Sequence, residues 1–206
     1  MKDLTGMKQN KEVKVIGLTG GIGSGKSEAA RILVEAYGAL LLNTDRIAHD
    51  FMEKGGISYE LIVEYFGKGI LDAEGKIDRG KLGREVYQNP AKLKVLNSFT
   101  HPPVMEYVRN KIKEAKEGGS YPFICVETAL PREAALDDFC DEIWYVNAEK
   151  EVRKERLQNS RNFNSDKFEQ VLKNQFSEEE YKKISTHILT NNDTLENLKD
   201  QIDKLL

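Results

Sequence analysis

The chain has 206 residues and 23.4 kDa, and its 31 Lys plus Arg against 34 Asp plus Glu leave a formal net charge of −3. That balance excludes a general nucleic-acid coat, which needs excess positive charge, but leaves room for a local basic pocket around a small polyanion. At 39% hydrophobic residues the chain can bury a core, no run reaches the roughly 18 apolar residues of a membrane span, and two cysteines are too few for a disulfide framework. The expectation is a cytoplasmic monomer with no nucleic-acid or membrane partner.

Residues 1–10 are polar throughout and read as a loose N-terminal extension. Val13-Lys14-Val15-Ile16-Gly17-Leu18 is a short β-branched run that stops at Gly20-Gly21, a buried strand entering a tight turn. Helical spacing follows, with Ala29, Ala30, Leu33, Val34 and Tyr37 on one face and Gly38 as the stop. Ala39-Leu40-Leu41-Leu42 reads as a second buried strand. Strand, helix and strand in about thirty residues make a βαβ unit and a parallel sheet, with the second strand expected beside the first.

From about residue 46 to 117 the pattern is mostly helical, too long for a simple crossover, and closes with a helix expected from Val104 to Lys116. It reads as a helical insertion beside the sheet. Residues 121–127 and 142–146 return to strand, with Cys125 expected as a buried thiol. Residues 149–183 are charged and helical in pattern, 187–190 form an edge strand, and 194–205 form an amphipathic helix.

The turn after the first strand reads Gly20-Gly21-Ile22-Gly23-Ser24-Gly25-Lys26-Ser27, which fits G-x-x-x-x-G-K-[ST]. Glycines let successive backbone N–H groups point inward at phosphate oxygens, and the following helix adds its own unpaired N–H groups and positive dipole end. Lys26 can neutralise β and γ oxygens, and the Ser27 hydroxyl can ligate Mg²⁺. The base-reading N/T-K-x-D segment of a GTPase and the strand ending in an acidic pair of a motor ATPase are both missing from the sequence. A small ATP-dependent kinase remains. Asp45, just past the second strand, can accept a proton from a hydroxyl acceptor or cap a helix that starts after Asn43-Thr44.

These residues carry a resemblance. The segment Gly17–Ser27, then Asn43-Thr44-Asp45-Arg46-Ile47-Ala48-His49, resembles dephospho-CoA kinases, whose L-T-G-G-I-G-S-G-K-[ST] is followed by D-A-D-x-I-A. The likeness continues through Tyr65-Phe66-Gly67, Gly75-Lys76-Ile77-Asp78-Arg79, Leu96–Pro102, Val126–Leu130, Gln175 and Ile188–Asn192. It implies a P-loop NTPase fold of the nucleoside-monophosphate-kinase-like type: a three-layer α/β/α core with a parallel sheet (11–45, 118–151 and 184–206), a helical acceptor domain (46–117) and a helical lid (152–183). The implied reaction moves the γ-phosphoryl of ATP to the ribose 3′-hydroxyl of dephospho-CoA, with Mg²⁺ as cofactor.

Carried over by position, the resemblance implies catalytic roles for Lys26, Asp45 and Arg156. It implies nucleotide contacts from Thr19, Gly21, Ile22, Gly23, Ser24, Gly25, Lys26, Ser27, Glu28 and Asn192, metal contact from Ser27, and acceptor contact from Asp45 and His101. Several positions depart from the family pattern: Asn43 and Thr44 replace an Asp and an Ala, and Glu28 replaces a Thr. Glu127-Thr128-Ala129-Leu130-Pro131-Arg132-Glu133 replaces the usual P-L-L-x-E, and the lid's R-D pair reads Arg161-Asn162 with one extra residue. On the residues alone, Arg153, Arg156 and Arg161 belong to a solvated helix of alternating charge, and His101 before Pro102-Pro103 is a helix-start residue. The rival readings are a kinase for another small molecule or nucleoside monophosphate, and an ATP-binding module whose transfer activity has decayed.

Overall fold

The apolar runs of the sequence form five parallel strands in a computed structural model that describes residues 12–87, 89–161, 168, 171–172 and 175–206. They are β1 (Lys14–Thr19), β2 (Leu40–Asn43), β3 (Phe123–Glu127), β4 (Glu142–Asn147) and β5 (His187–Thr190), in the order β2-β3-β1-β4-β5. Lys14 pairs with Phe123, Ile16 with Glu142, Leu40 with Ile124 and Trp144 with His187. The three central strands are buried on both faces, which is why their sequences run apolar instead of alternating.

Helices cover both faces. On one, α1 (Lys26–Tyr37) and α9 (Leu195–Asp203) enclose Ile16, Leu18, Cys125, Trp144, Val146 and Leu189 with their own Leu33, Leu198 and Ile202. On the other, α5 (Pro90–Gly118) lays Val104, Val108 and Ile112 against Val15, Leu42, Ile124 and Val126. Each fully buried Leu or Ile side chain contributes about 1.5–3 kcal/mol against exposure. The Trp144 indole N–H donates to Glu142 at 2.8 Å, so the largest buried side chain leaves no unpaired donor.

A further group of helices precedes α5: α2 (Thr44–Met52), α3 (Tyr59–Phe66) and α4 (Arg79–Tyr87). Ile62, Ile70 and Leu82 form a small core of their own there, backed by Phe66, Leu96 and Phe99. Further helices among the described residues are α6 (Pro131–Ala134), α7 (Lys150–Arg161) and α8 (Glu178–Ile184). No helix of the described residues is long and apolar enough to cross a membrane.

Two expectations need correction. The second strand does not lie beside the phosphate-loop strand, because β3 lies between β2 and β1. A βαβ unit fixes the strands as parallel, but the crossover through α1 can skip a place in the sheet. The helix expected from Val104 begins at Pro90, so His101 is interior to α5 and does not start a helix. Pro102 and Pro103 sit inside it without ending it, although proline normally frees a carbonyl one turn back. The carbonyl that Pro103 leaves without a donor, at Phe99, accepts the hydroxyl of buried Ser58 at 2.8 Å. A side chain 41 positions away replaces the missing backbone donor.

Candidate active site

Every strand ends at the same edge of the sheet, and each carboxyl end delivers a polar group to it. The crossovers leaving β1 and β3 run in opposite directions along the sheet, which opens a crevice beyond those ends. β1 runs into the phosphate loop, β2 ends at Asn43 just before Asp45, β3 ends at Glu127, and β5 runs into Asn191.

The loop is held by close backbone approaches. A Cβ on Gly20 would press on the Val146 carbonyl and lie 2.8 Å from Ser24 Oγ. Gly25, at φ 93°, has the left-handed backbone that precedes α1, and a Cβ there would fall on the Asn191 amide nitrogen. No side chain caps α1, so the N–H groups of its first turn are not consumed by a cap. Thr19, which precedes the loop, and Ser24 within it are buried, and neither hydroxyl has a hydrogen-bond partner among the described residues.

Lys26 folds back over the loop and donates to the carbonyls of Gly20 at 2.7 Å and Gly21 at 3.2 Å. Burial lowers its ammonium from 10.5 to about 8, Glu127 and Asp45 pull it back upward, and Arg153 pushes it down. Ser27 donates its hydroxyl to Glu127 Oε1 at 2.9 Å, and Asn43 Nδ2 donates to Glu127 Oε2 at 2.7 Å. The other end of the Asn43 amide caps α2 by accepting the Arg46 N–H at 2.9 Å. Capping therefore falls to Asn43 and leaves the Asp45 carboxylate free of that task. Displacement of water by the surrounding walls raises the Asp45 carboxyl above its ordinary value, against the pull of Lys26.

Asp45 also lines a cavity of about 400 Å³ between α2, α4 and α5. His49, Arg79, His101 and Thr128 contribute polar groups to it, and Leu82, Val86, Leu96 and Val104 give it apolar walls. The shape and mixed lining suit an organic ligand with both apolar and charged parts.

The structure brings together most of the residues singled out from the sequence: Thr19, the loop from Gly21 to Ser27, and Asp45, with His101 lining the same cavity as Asp45. Others make hydrogen bonds or ion pairs of their own. Glu28 pairs with Arg31 at 2.9 Å on the face of α1, so its carboxylate does not enter the loop. Asn192 is tied to Glu149, accepting its backbone N–H at 2.8 Å. Arg156 donates to the Asn191 carbonyl at 2.8 Å. The Arg161 side chain and residues 162–167, 169–170 and 173–174 of the 152–183 segment lie outside the described residues.

Four residues at the loop escaped the sequence reading of the site. Glu127 receives Ser27 and Asn43, and Asn191 donates its amide to the Ser24 carbonyl at 2.8 Å. Gln175 accepts the Ile22 N–H at 2.9 Å, and Arg153 donates to the Ile22 carbonyl at 2.9 Å. Glu127 could have been found as the acid that ends an apolar strand. Gln175 and Asn191 carried part of the resemblance without a role attached to them, and nothing in the spacing marks Arg153.

The oxygen donors at the loop, Ser27 with Glu127 behind it, have the hardness Mg²⁺ prefers, and a magnesium site uses one or two carboxylates with substrate phosphates and water. Among the described residues there is no group of three or more His, Cys, Asp or Glu that could hold a metal by protein ligands alone.

Comparison with known proteins gives a consistent result. The family model described as "Dephospho-CoA kinase" matches residues 14–197. A dephospho-CoA kinase of Carboxydothermus hydrogenoformans is 40% identical over 192 residues, covering 93% of this chain and 92% of the relative. The crystal structure of TT1252 from Thermus thermophilus superposes with a TM-score of 0.80 at 28% identity, covering 95% and 96% of the two chains. The dephospho-CoA kinase structure from Campylobacter jejuni has a TM-score of 0.62 at 23% identity and covers 94% and 96%, a likeness of fold.

Proposed function

This chain belongs to the dephospho-CoA kinase family, and from that premise we propose how its residues carry out the reaction. The enzyme is an ATP-dependent transferase with an alcohol acceptor, and it phosphorylates dephospho-CoA to coenzyme A. The ATP triphosphate lies in the Gly20–Ser27 loop and dephospho-CoA fills the cavity of residues 46–117, which act as the acceptor domain. Residues 152–183 act as the lid.

The observation that carries this assignment is the position of Asp45. It lines the acceptor cavity and is electrostatically coupled to Lys26 of the loop, so one carboxylate joins the two sites. In the transfer, the acceptor hydroxyl oxygen bonds to the γ-phosphorus as the bond to the bridging oxygen of ADP breaks, and the hydroxyl proton passes to Asp45. Desolvation raises the basicity of that carboxylate, which suits it to the proton. Lys26 neutralises the β and γ oxygens. Ser27 and Glu127 would hold Mg²⁺, which supplies charge neutralisation on the phosphates. Most of the catalysis is then positioning and charge compensation, because phosphoryl transfer asks for little covalent chemistry from the protein.

The test is ATP-dependent phosphorylation of dephospho-CoA, with the product identified by mass and by 3′ position, for wild type and Asp45→Asn. Coenzyme A from the wild type and a loss of about 10²-fold or more in kcat for the variant are expected. Retention of full kcat by Asp45→Asn would remove Asp45 from the chemistry. ATP binding without any coenzyme A from the wild type would favour a decayed module.

A further inference from the structure

Arg153 sits one turn into α7, in a stretch of alternating charges that by sequence alone belongs in solvent. The fold places it elsewhere. Its Nε donates to the Ile22 carbonyl at 2.9 Å, and its Nη2 lies 2.5 Å from where a Cβ on Gly21 would stand, so the guanidinium rests on a bare glycine backbone. The guanidinium carbon also lies over the Phe168 ring, 5.7 Å from its centroid. Nη2 is buried and has no hydrogen-bond partner among the described residues.

A guanidinium carries five donors in a fixed fork, and an unpaired buried donor is costly unless an anion completes it. The surroundings supply a second cation instead. Lys26 Nζ lies on the carbonyls of Gly20 and Gly21, next to the Gly21 backbone on which the Arg153 guanidinium rests. Two cations converging on one stretch of loop backbone form a site for an anion of high charge. The loop lysine of this motif reaches the β and γ phosphates, and Arg153 meets it at Gly21 while covering Ile22 beyond. Arg156 points to the opposite end of the loop, where it is held by the Asn191 carbonyl beside Gly25.

We propose that Arg153 is a catalytic residue of this chain, its Nη2 meeting the terminal phosphoryl oxygens of ATP. The proposal rests on the ATP-kinase reading above. Arg153 changes no bond itself: it stabilises the charge on the phosphoryl group while that group moves from ADP to the acceptor hydroxyl. Gly21 belongs to the same design, because any side chain there would displace the guanidinium.

The experiment compares wild type, Arg153→Gln and Arg153→Lys by kcat for coenzyme A formation and by calorimetric affinity for ATP and for ADP, with thermal melts as a folding control. For Arg153→Gln, kcat should fall about 10²-fold. ATP affinity should fall while ADP affinity stays, and Arg153→Lys should recover part of both losses. An unchanged kcat with an unchanged ATP-to-ADP affinity ratio would overturn the proposal. An equal loss of ATP and ADP affinity would also overturn it, because it would reduce Arg153 to a support of the Ile22 backbone. If wild type forms no coenzyme A, the kinase reading falls, and the ATP-to-ADP ratio alone then supports or overturns the contact.

Discussion

Replacing Glu127 with Gln removes one charge from a carboxylate that is only 6% exposed. In the wild type its two oxygens accept from Ser27 at 2.9 Å and from Asn43 at 2.7 Å. A glutamine can keep only one of those acceptors. Its carbonyl must face Asn43, because the Asn43 amide is fixed by the cap it gives Arg46 at 2.9 Å. The new NH₂ then falls on Ser27 Oγ, which must accept and turn its own proton away from the pair. Two bonds to a charged acceptor become two neutral ones, a loss of about 1 kcal/mol each and about 2 kcal/mol together. If that loss appears wholly in the transition state it is about 30-fold in kcat. Lys26 also loses the stronger of the two carboxylates that hold its proton, so its ammonium drops further below its present value of about 8. The assay is kcat and KM for both substrates across a range of Mg²⁺ concentrations, with melts to confirm folding. Activity should fall about 30-fold or more and the Mg²⁺ requirement should rise. A variant with kcat within a factor of about three of wild type and an unaltered Mg²⁺ dependence would refute the role given to Glu127.

Lys26 and Ser58 carry further expectations. Because burial depresses Lys26 to about 8, ATP affinity should decline as pH rises through that value, and calorimetry in buffers of different ionisation enthalpy should detect proton uptake on binding. Stability should respond with the opposite sign: between about 8 and 10.5 the unfolded chain keeps a proton on Lys26 that the folded chain has lost, so this group's contribution rises with pH across that window. A flat affinity profile there would show that Lys26 keeps its proton throughout. Ser58→Ala should leave the Phe99 carbonyl unpaired inside α5, costing about 2 kcal/mol and lowering Tm by about 4–8 °C for a chain of this size. kcat should change little, and an unchanged Tm would mean that the Ser58 bond does not replace the donor Pro103 lacks.

The phosphate loop was legible in the sequence because it is a local device. Successive backbone groups of Gly20–Ser27 and the first turn of α1 form the anion cradle, and the residues that shape it are neighbours in the chain. The three central strands of the parallel sheet were legible for a similar reason, since burial on both faces leaves an unbroken apolar run. Strand order was not, because periodicity says which residues are buried and nothing about which strand lies next to which; β3 took the place expected for β2. The extent of α5 was hidden as well. Pro102 and Pro103 read as a start when local rules alone are applied, whereas the helix runs through them and the Ser58 hydroxyl, arriving from another helix's entry, replaces the donor that Pro103 lacks.

The same division runs through the site. Lys26, Ser27 and Asp45 could be named from spacing and resemblance, while Glu127 lies 100 positions from the Ser27 it receives, Gln175 lies 153 from Ile22, and Asn191 lies 167 from Ser24. Arg153 sits in a run whose pattern indicates solvent, and its position on the loop depends on how α7 leaves β4. The sequence alone thus determined the chemistry of the loop, because successive N–H groups and a following helix start suffice to bind phosphate wherever the loop sits. Which carboxylate, amide and guanidinium complete it was decided only by the tertiary structure, because parallel crossovers gather the carboxyl ends of distant strands at one edge of the sheet.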